Sequence, residues 1–276
     1  MHASRIRLGL VALLGLALLG LSACGEETSP AADRPAGAAV GAHEHPTGAD
    51  DVVLRILTAG GYTSMDYQFA IRPTIVLYGD GRVLATDPDD GDARLWTVRE
   101  GRVDEAQVQE ILSSAAESGL LAAAPSYDFD GGFMVTDNPT TTVEIAADGG
   151  PWVHEIYALS STQGDTPARQ RLRDFVGATT DALGEAADGT YEPEQLRLFV
   201  TPVSGDDGAQ GAEVVEWPTG GPALAGEQGC RVVDAAGLTD LLGEARLGTY
   251  VRQGDRLFAV TAAAVLPGET RPCADW

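Results

Sequence analysis

The sequence predicts an α+β fold in which antiparallel sheets carry helices packed on one face. Apolar, β-branched runs occur in consecutive pairs joined by short Gly/Asp turns, for example residues 74–85 around Asp80 and Gly81. Amphipathic segments with recognisable caps, at 104–118 and 166–183, lie between these pairs. Because parallel strands need a long crossover connection, consecutive hairpins favour antiparallel sheets with segregated helices.

The first half of the folded region begins near Asp51 and supplies most of this pattern. The helix at 104–118 has Asp104 as its N-cap and a glycine as its left-handed C-cap. Thr166 as N-cap, followed by Pro167 at the first helical position, predicts the start of the next helix. The predicted strands of this half are 52–57, 74–78, 82–85, 140–146 and 152–159.

The second half begins near Tyr191 and shares features with the first. Asp234 is the predicted N-cap of a helix at 234–246, and residues 218–229 form a predicted loop. At an offset of 130 residues, the Val-Asp-x-Ala start and apolar pair of this helix align with those of the helix at 104–118. This alignment has two explanations, either two similar β-β-α-β-β units or a chance similarity. The predicted strands of the second half are 196–200, 212–217, 249–252 and 256–265.

A signal-like segment precedes the folded region. Arg5 and Arg7 are followed by an apolar and glycine run from Leu8 to Leu21, roughly 21 Å long as a helix at 1.5 Å per residue. A bilayer core requires about 30 Å, so the run predicts a cleaved signal rather than a membrane span. It ends in Leu21-Ser22-Ala23-Cys24-Gly25, which resembles the lipobox of bacterial lipoproteins. The resemblance implies cleavage before Cys24 and a diacylglycerol thioether on its sulfur; an ordinary secretory signal with an incidental cysteine is the alternative.

These features predict four segments: a signal peptide at 1–23, a flexible tether at 24–50, a first α+β domain at 51–190 and a second, smaller one at 191–276. The tether is predicted because its residues show no apolar periodicity. We expect the chain to be held through Cys24 on the extracytoplasmic face of the cell membrane, because two acyl chains anchor a protein durably.

The other two cysteines are predicted to be paired. An odd cysteine count in an exported protein requires an explanation, and lipidation of Cys24 leaves Cys230 and Cys273 for an oxidising compartment. Their disulfide would close a loop of about 44 residues and stabilise the fold by roughly 4 kcal/mol. Two free thiols are the alternative, and a zinc site is disfavoured because neither cysteine has a nearby histidine. The closing stretch, Leu266 to Cys273, is similar to C-terminal segments of uncharacterised actinobacterial lipoproteins, a resemblance that implies no activity.

The charge balance excludes some classes of partner. The chain of 276 residues has 18 basic residues, all arginine, against 41 acidic residues, for a net charge of −23. Nucleic-acid binding needs clustered basic residues, and anionic headgroups would repel this surface. The predicted partners are therefore the membrane, through the diacylglycerol on Cys24, and a protein or glycan of the cell envelope, but no nucleic acid.

Few residues suit catalysis. His154 is the only histidine after the tether, and its alternation with Ile156 indicates a packed strand position rather than a catalytic one. No G-x-S-x-G elbow, H-E-x-x-H pair, Walker A loop or dinucleotide fingerprint occurs, so we predict no catalytic residue and no cofactor. His43 and His45 in the tether form an H-x-H pair that could bind a transition metal weakly; a solvated linker is the alternative.

The densest acidic cluster follows the first hairpin. Asp87, Asp89, Asp90 and Asp92 could supply oxygen ligands to a weak calcium site, although the spacing does not fit an EF-hand loop. A solvated loop is the simpler interpretation, and no metal site is predicted.

The sequence thus favours a lipid-anchored, non-catalytic binding or interaction module of the cell envelope. A cell-envelope hydrolase that uses carboxylate chemistry is the alternative, and close carboxylates with raised pKa values in a cleft would favour it. Exposed aromatic residues often anchor protein interfaces, so Trp96, Trp217 and Trp276 are candidate anchors, each with a core position as its alternative.

Overall fold

In the computed structural model, residues 42–87, 92–132, 134–204, 211–224 and 228–274 are described, and these residues form two β-sheets and four α-helices. The α+β class predicted from the sequence is confirmed. The signal peptide, Cys24 and most of the predicted tether lie outside the described residues.

The first sheet contains seven strands, and each neighbouring pair in it is antiparallel. The strands are β1 (Val52–Gly60), β2 (Ile75–Tyr78), β3 (Arg82–Thr86), β4 (Val98–Arg102), β5 (Pro139–Ile145), β6 (Trp152–Tyr157) and β7 (Gly189–Thr190). Their spatial order is β6-β5-β1-β2-β3-β4-β7. The predicted hairpin is β2–β3, where Gly81 has a φ of 82° and lies so close to Val103 that a Cβ would meet its carbonyl oxygen at 2.3 Å.

The second sheet contains five strands among the described residues and is mixed. They are β8 (Gln195–Val203), β9 (Val214–Glu216), β10 (Gly229–Asp234), β11 (Tyr250–Gln253) and β12 (Arg256–Ala264), in the order β10-β8-β12-β11-β9. One pair departs from the predicted antiparallel arrangement, because β9 and β11 pair in parallel. Because β10 and a helix lie between these two strands in the chain, the connection is long enough for a parallel crossover.

The four helices are α1 (Met65–Ala70), α2 (Glu105–Glu117), α3 (Pro167–Ala186) and α4 (Thr239–Glu244). The predicted caps of α2 and α3 are confirmed: the side chains of Asp104 and Thr166 accept hydrogen bonds from backbone amides in the first turn. The predicted cap of α4 is wrong. Asp234 ends β10 and accepts from the Ala236 amide, and α4 begins only at Thr239.

The two halves do not share a topology. The hairpin after α2, β5–β6, joins the first sheet beside β1, whereas the second sheet contains a parallel pair and the unpredicted strand β10. The strand order β6-β5-β1-β2-β3-β4-β7 has no counterpart in β10-β8-β12-β11-β9. The similarity between the helices at 104–118 and 234–246 is therefore coincidental.

Both faces of the first sheet are covered at its centre. One face packs against α2 and α3 in a core that includes Leu77, Leu112 and Phe175. On the other face, Val76 and Tyr78 pack against Leu266, which follows β12. The strands of the two sheets divide near residue 190, but the described residues form one compact unit.

Candidate functional site

A cleft of about 610 Å³ lies where the last strands of the first sheet meet the segment after β12. Its side chains come from the end of the N-terminal segment, from β3 and β4, from the stretch that runs from the end of β7 to the start of β8, and from the residues after β12. Its charged lining consists of Asp50, Arg82, Glu100, Glu192, Glu194 and Glu269. We call this feature the acidic cleft.

Backbone hydrogen bonds hold the walls of the acidic cleft. The Tyr191 amide donates to the Val98 carbonyl oxygen at 2.9 Å, which ties the β7–β8 connection to β4. The Val265 amide donates to the Gln195 carbonyl oxygen at 3.0 Å, and the Tyr191 hydroxyl donates to the Val265 carbonyl oxygen at 3.3 Å. The cleft is thus formed by segments with fixed positions, which lowers the entropic cost of binding.

The lining of the acidic cleft is strongly negative. Arg82 is engaged with the Ala49 carbonyl oxygen at 2.6 Å and with the Asp50 carboxylate at 3.4 Å. Burial raises the pKa of the Tyr191 hydroxyl, and the charges of Glu100, Glu194 and Asp50 add to this rise against the opposing effect of Arg82. The arrangement suits a cationic ligand.

The shifted carboxyl pKa values elsewhere do not suit acid catalysis. Hydrogen bonds from Gln109 and His45, against burial, lower the pKa of Glu105, and hydrogen bonds from His43 and the Glu44 amide lower the pKa of Asp148. Burial opposes ionisation of Asp80, but hydrogen bonds and charges of two arginines outweigh it and lower its pKa. A general acid requires a raised pKa, so these three groups are unsuited to that role.

His154 occupies the packed position that its strand pattern predicts. Its side chain is fully buried on β6, its Nε2 lies 2.9 Å from the Leu120 carbonyl oxygen, and its Nδ1 lies 2.7 Å from the Tyr127 hydroxyl. Because Nε2 must donate to the carbonyl, Nδ1 accepts from Tyr127. Both ring nitrogens are used within the fold, away from the acidic cleft.

The predicted acidic loop is only partly described. Asp89 and Asp90 lie outside the described residues, while the backbone amide of Asp87 donates to the Thr97 carbonyl oxygen and the Asp92 carbonyl oxygen accepts from Leu247. Within the described ranges, no group of three or more His, Cys, Asp or Glu side chains has the arrangement needed to hold a metal ion.

The end of the predicted tether is attached to the fold. His43 Nδ1 lies 2.6 Å from an Asp148 carboxylate oxygen, and the His43 amide donates to the Gln109 side chain at 2.8 Å. His45 Nε2 lies 3.1 Å from the Glu105 carboxylate. The expectation of a solvated H-x-H linker is wrong for these residues, because carboxylates distant in the sequence supply partners for both rings.

The two candidate aromatic anchors within the described residues are buried. Trp96 and Trp217 are 7% and 6% exposed, and the Trp217 indole N–H donates to the Pro222 carbonyl oxygen at 2.9 Å. Both belong to the core, and Trp276 lies outside the described residues. The exposed apolar residues include Tyr62 and Met134, which the sequence analysis did not single out.

The two predicted partners Cys230 and Cys273 form a disulfide with a Cα–Cα distance of 5.7 Å, within the limit of about 7 Å for such a bond. It ties β10 to the C-terminal segment. Among the described residues, no helix combines the length and the apolar character needed to cross a bilayer.

The sequence reasoning missed the residues that line the acidic cleft. No local pattern marks them, because they come from five separated segments and the acids among them look like ordinary surface residues in the sequence. It also missed several buried arginines, of which Arg72 and Arg94 matter below. No family model, no curated protein and no solved structure matches the chain.

Proposed function

We propose that the protein is a lipid-anchored, extracytoplasmic, non-catalytic module that binds a basic segment of a protein partner in the acidic cleft. The observation that carries this proposal is the cleft lining, in which five carboxylates face one arginine. Glu269 is neutralised by Arg72, but Glu192 and Glu194 are exposed on the rim. Exposed carboxylates on a fixed backbone produce a negative potential that attracts cationic partners from solution.

The charge of the whole chain supports the same class of partner. A net charge of −23 steers cationic partners toward the surface and repels nucleic acid and anionic lipid. Association driven in this way becomes weaker as salt concentration rises, because ions screen charges over about 10 Å at 0.1 M.

The proposed anchor on Cys24 would hold the cleft near the membrane. If residues 25–41 form the flexible tether that their composition predicts, they would span roughly 20–25 Å. This is the distance between the anchor and His43, the first described residue that contacts the fold. This reach suits capture of an envelope partner close to the membrane surface.

The cleft is tested with a lysine octapeptide as probe. Glu192→Gln together with Glu194→Gln should raise the Kd at least tenfold, because both carboxylates lie at the cleft rim. The matched control, Glu110→Gln with Glu117→Gln, removes the same charge from exposed positions on α2 and should change the Kd by less than twofold. Equal losses in the two double variants would show attraction to net charge alone and would contradict a site in the cleft.

The anchor is tested by Cys24→Ala. We expect the wild-type chain in the membrane fraction with incorporated radiolabelled palmitate, and the variant without label and outside that fraction or uncleaved. Labelled variant chain, or unlabelled wild-type chain with unchanged fractionation, would contradict lipidation at Cys24.

A further inference from the structure

We propose that a second groove binds a small amphiphile with a single oxyanion head group, a carboxylate or a phosphate monoester. This arginine groove has a volume of about 350 Å³ and lies between the outer face of β1 and β2, the residues after α1, and the segment 266–269. The segment 266–269 also borders the acidic cleft, so it separates two sites of opposite charge. The proposal does not depend on the function proposed for the acidic cleft.

The head group would bind at Arg72. The guanidinium is buried, and Nη1 donates to both carboxylate oxygens of Glu269 at 3.2 and 3.1 Å. Nε is buried without a hydrogen-bond partner, and Nη2 makes no hydrogen bond to a described residue. The Nε–Nη2 edge of a guanidinium is one that grips a carboxylate or phosphate with two parallel hydrogen bonds. An unpaired buried donor is costly to the fold, and an oxyanion entering the groove would remove that cost.

The charges around Arg72 favour an anion. Arg55 and Arg197 also line the groove, and Glu269 is the acidic residue of the lining. Arg55 is paired with Glu144 at the edge, and Arg197 donates to the backbone carbonyl oxygens of Pro272 and Phe69. In a chain with 41 acids and 18 arginines, a groove with three arginines and one glutamate is an exception to the charge of the surface.

The remainder of the groove is apolar. On β1, Leu57 and Ala59 alternate with the core residue Ile56 and therefore lie on the outer face of the sheet. Ile71 and Val76 also belong to the apolar lining. The volume is near the lower limit for small-molecule sites, which predicts a short apolar chain rather than a full membrane lipid.

The segment 266–269, which forms one wall of the arginine groove, is held in place by contacts within and beside it. The Tyr78 hydroxyl donates to the Pro267 carbonyl oxygen at 3.2 Å, and Arg197 donates to the Pro272 carbonyl oxygen at 3.0 Å. The disulfide at Cys273 closes the same segment onto β10. The groove is therefore formed before a ligand arrives, and little binding energy is spent on ordering it.

The test uses calorimetric titration of the full chain carrying Cys24→Ala. This variant has no cysteine to acylate at position 24, so it can be handled without detergent. Octanoate and octyl phosphate are the probes, and octanol and octylammonium match the chain length without the negative charge. We expect one or both anions to bind one to one, and the neutral and cationic compounds to bind at least tenfold more weakly. Acetate and inorganic phosphate should also bind at least tenfold more weakly, because they lack the apolar chain.

Two variants locate the site. Leu57→Trp fills the groove and should weaken binding of the better anion at least tenfold, whereas Val153→Trp, at a 46% exposed position on β6 outside the groove, should leave it unchanged. Arg72→Gln should weaken binding of the better anion to a similar degree. If this variant does not fold, the proposal is still tested by the Leu57→Trp variant and by comparing the two anions with octanol and octylammonium. Absence of binding by both anions, equal binding of octanol, or equal affinity of the Leu57→Trp and Val153→Trp proteins would overturn the proposal.

Discussion

At the scale of single residues, arginine provides the buried cations of this protein. All 18 basic residues are arginines. Arg169, 1% exposed, donates to the backbone carbonyl oxygens of Tyr127, Tyr157 and Ala158 and to the Asp165 carboxylate. A planar guanidinium with five donors can satisfy several acceptors at once, which a lysine cannot do. The sequence did not indicate which arginines are buried, because most of their acceptors are backbone groups of distant segments.

His154 could be predicted from its strand position, since period-two alternation places it beside Ile156 on the buried face. Its partners could not be predicted, because Leu120 and Tyr127 lie in a connection without regular pattern. The local pattern therefore revealed the burial, and the nonlocal contacts explain why a polar ring is tolerated there.

His154→Leu should lower the free energy of unfolding by about 1–3 kcal/mol, because it leaves the buried Leu120 carbonyl oxygen without its donor. Tyr127→Phe removes only one hydrogen bond and should cost about 0.5–1.5 kcal/mol. Denaturant unfolding measures both values. The affinity for the lysine octapeptide should stay unchanged in both variants, and its loss in a folded His154→Leu protein would contradict a purely structural role.

At the scale of elements, segments stabilised by their own sequence were predictable. The β2–β3 hairpin and the starts of α2 and α3 match the prediction, because an Asp-Gly turn and capping side chains act within a few residues. Strand β10 and the parallel pairing of β9 with β11 were missed, because both depend on partners far along the chain. The attachment of residues 43–50 was missed for the same reason.

The attachment of this segment should be sensitive to acid. Hydrogen bonds from His43 and the Glu44 amide lower the pKa of Asp148 from its ordinary 3.8. A hydrogen bond from Gln109, and a smaller contribution from His45, lower the pKa of Glu105 from its ordinary 4.5. A lowered pKa means that the ionised carboxylate favours the attached state, so this stabilisation is present above the ordinary pKa values and lost as pH falls through the lowered ones. We therefore expect the segment to begin to detach below about pH 4, and the detachment to be complete below the lowered pKa values, while the sheets remain folded.

Hydrogen exchange at the Glu44 amide measures this detachment, because that amide donates to the Asp148 carboxylate at 2.9 Å. Asp148→Asn with Glu105→Gln should expose the amide already at neutral pH. Asp181→Asn, at an exposed position on α3, is the matched control and should leave the exchange rate unchanged. Protection of the amide that persists below pH 2, or that is lost on raising the pH from 5, would show that these carboxylates do not hold the segment.

At the scale of the whole molecule, the first half of the chain contributes to the core of the second. Leu95, between β3 and β4, packs in the hydrophobic cluster of the second sheet, and its amide donates to the Leu242 carbonyl oxygen at 3.1 Å. Arg94 beside it is buried and donates to the carbonyl oxygens of Arg246 and Thr249 and to the Thr261 hydroxyl. The boundary predicted near residue 190 separates the strands of the two sheets, but the sequence at residues 94 and 95 carries no sign of this insertion.

Arg94 should therefore couple the two sheets into one cooperative unit. Its guanidinium lies 3.5 Å from the Asp66 carboxylate on α1, and Asp66 also accepts from Thr261 at 3.0 Å, so the three side chains form one network. Arg94→Met removes the only cation of this network among the described residues. It should lower the free energy of unfolding by about 1–3 kcal/mol, because the buried Thr249 carbonyl oxygen and Thr261 hydroxyl lose their donor, while the Asp66 side chain is 38% exposed and stays solvated.

Arg102→Met is the matched control, because it breaks the ion pair with Asp80 at a side chain that is 60% exposed and should cost at most about 1 kcal/mol. Tryptophan fluorescence, to which Trp152 on β6 and Trp217 in the core of the second sheet both contribute, and circular dichroism should follow a single coincident transition in the wild-type protein. Separate transitions of the two probes would mean that the sheets unfold independently. An Arg94→Met protein as stable as the Arg102→Met protein would show that the network does not join them, and residues 191–276 should then fold when expressed alone. With the network in place we expect that fragment to remain unfolded, because Leu95 and the contacts of Arg94 are missing from its core.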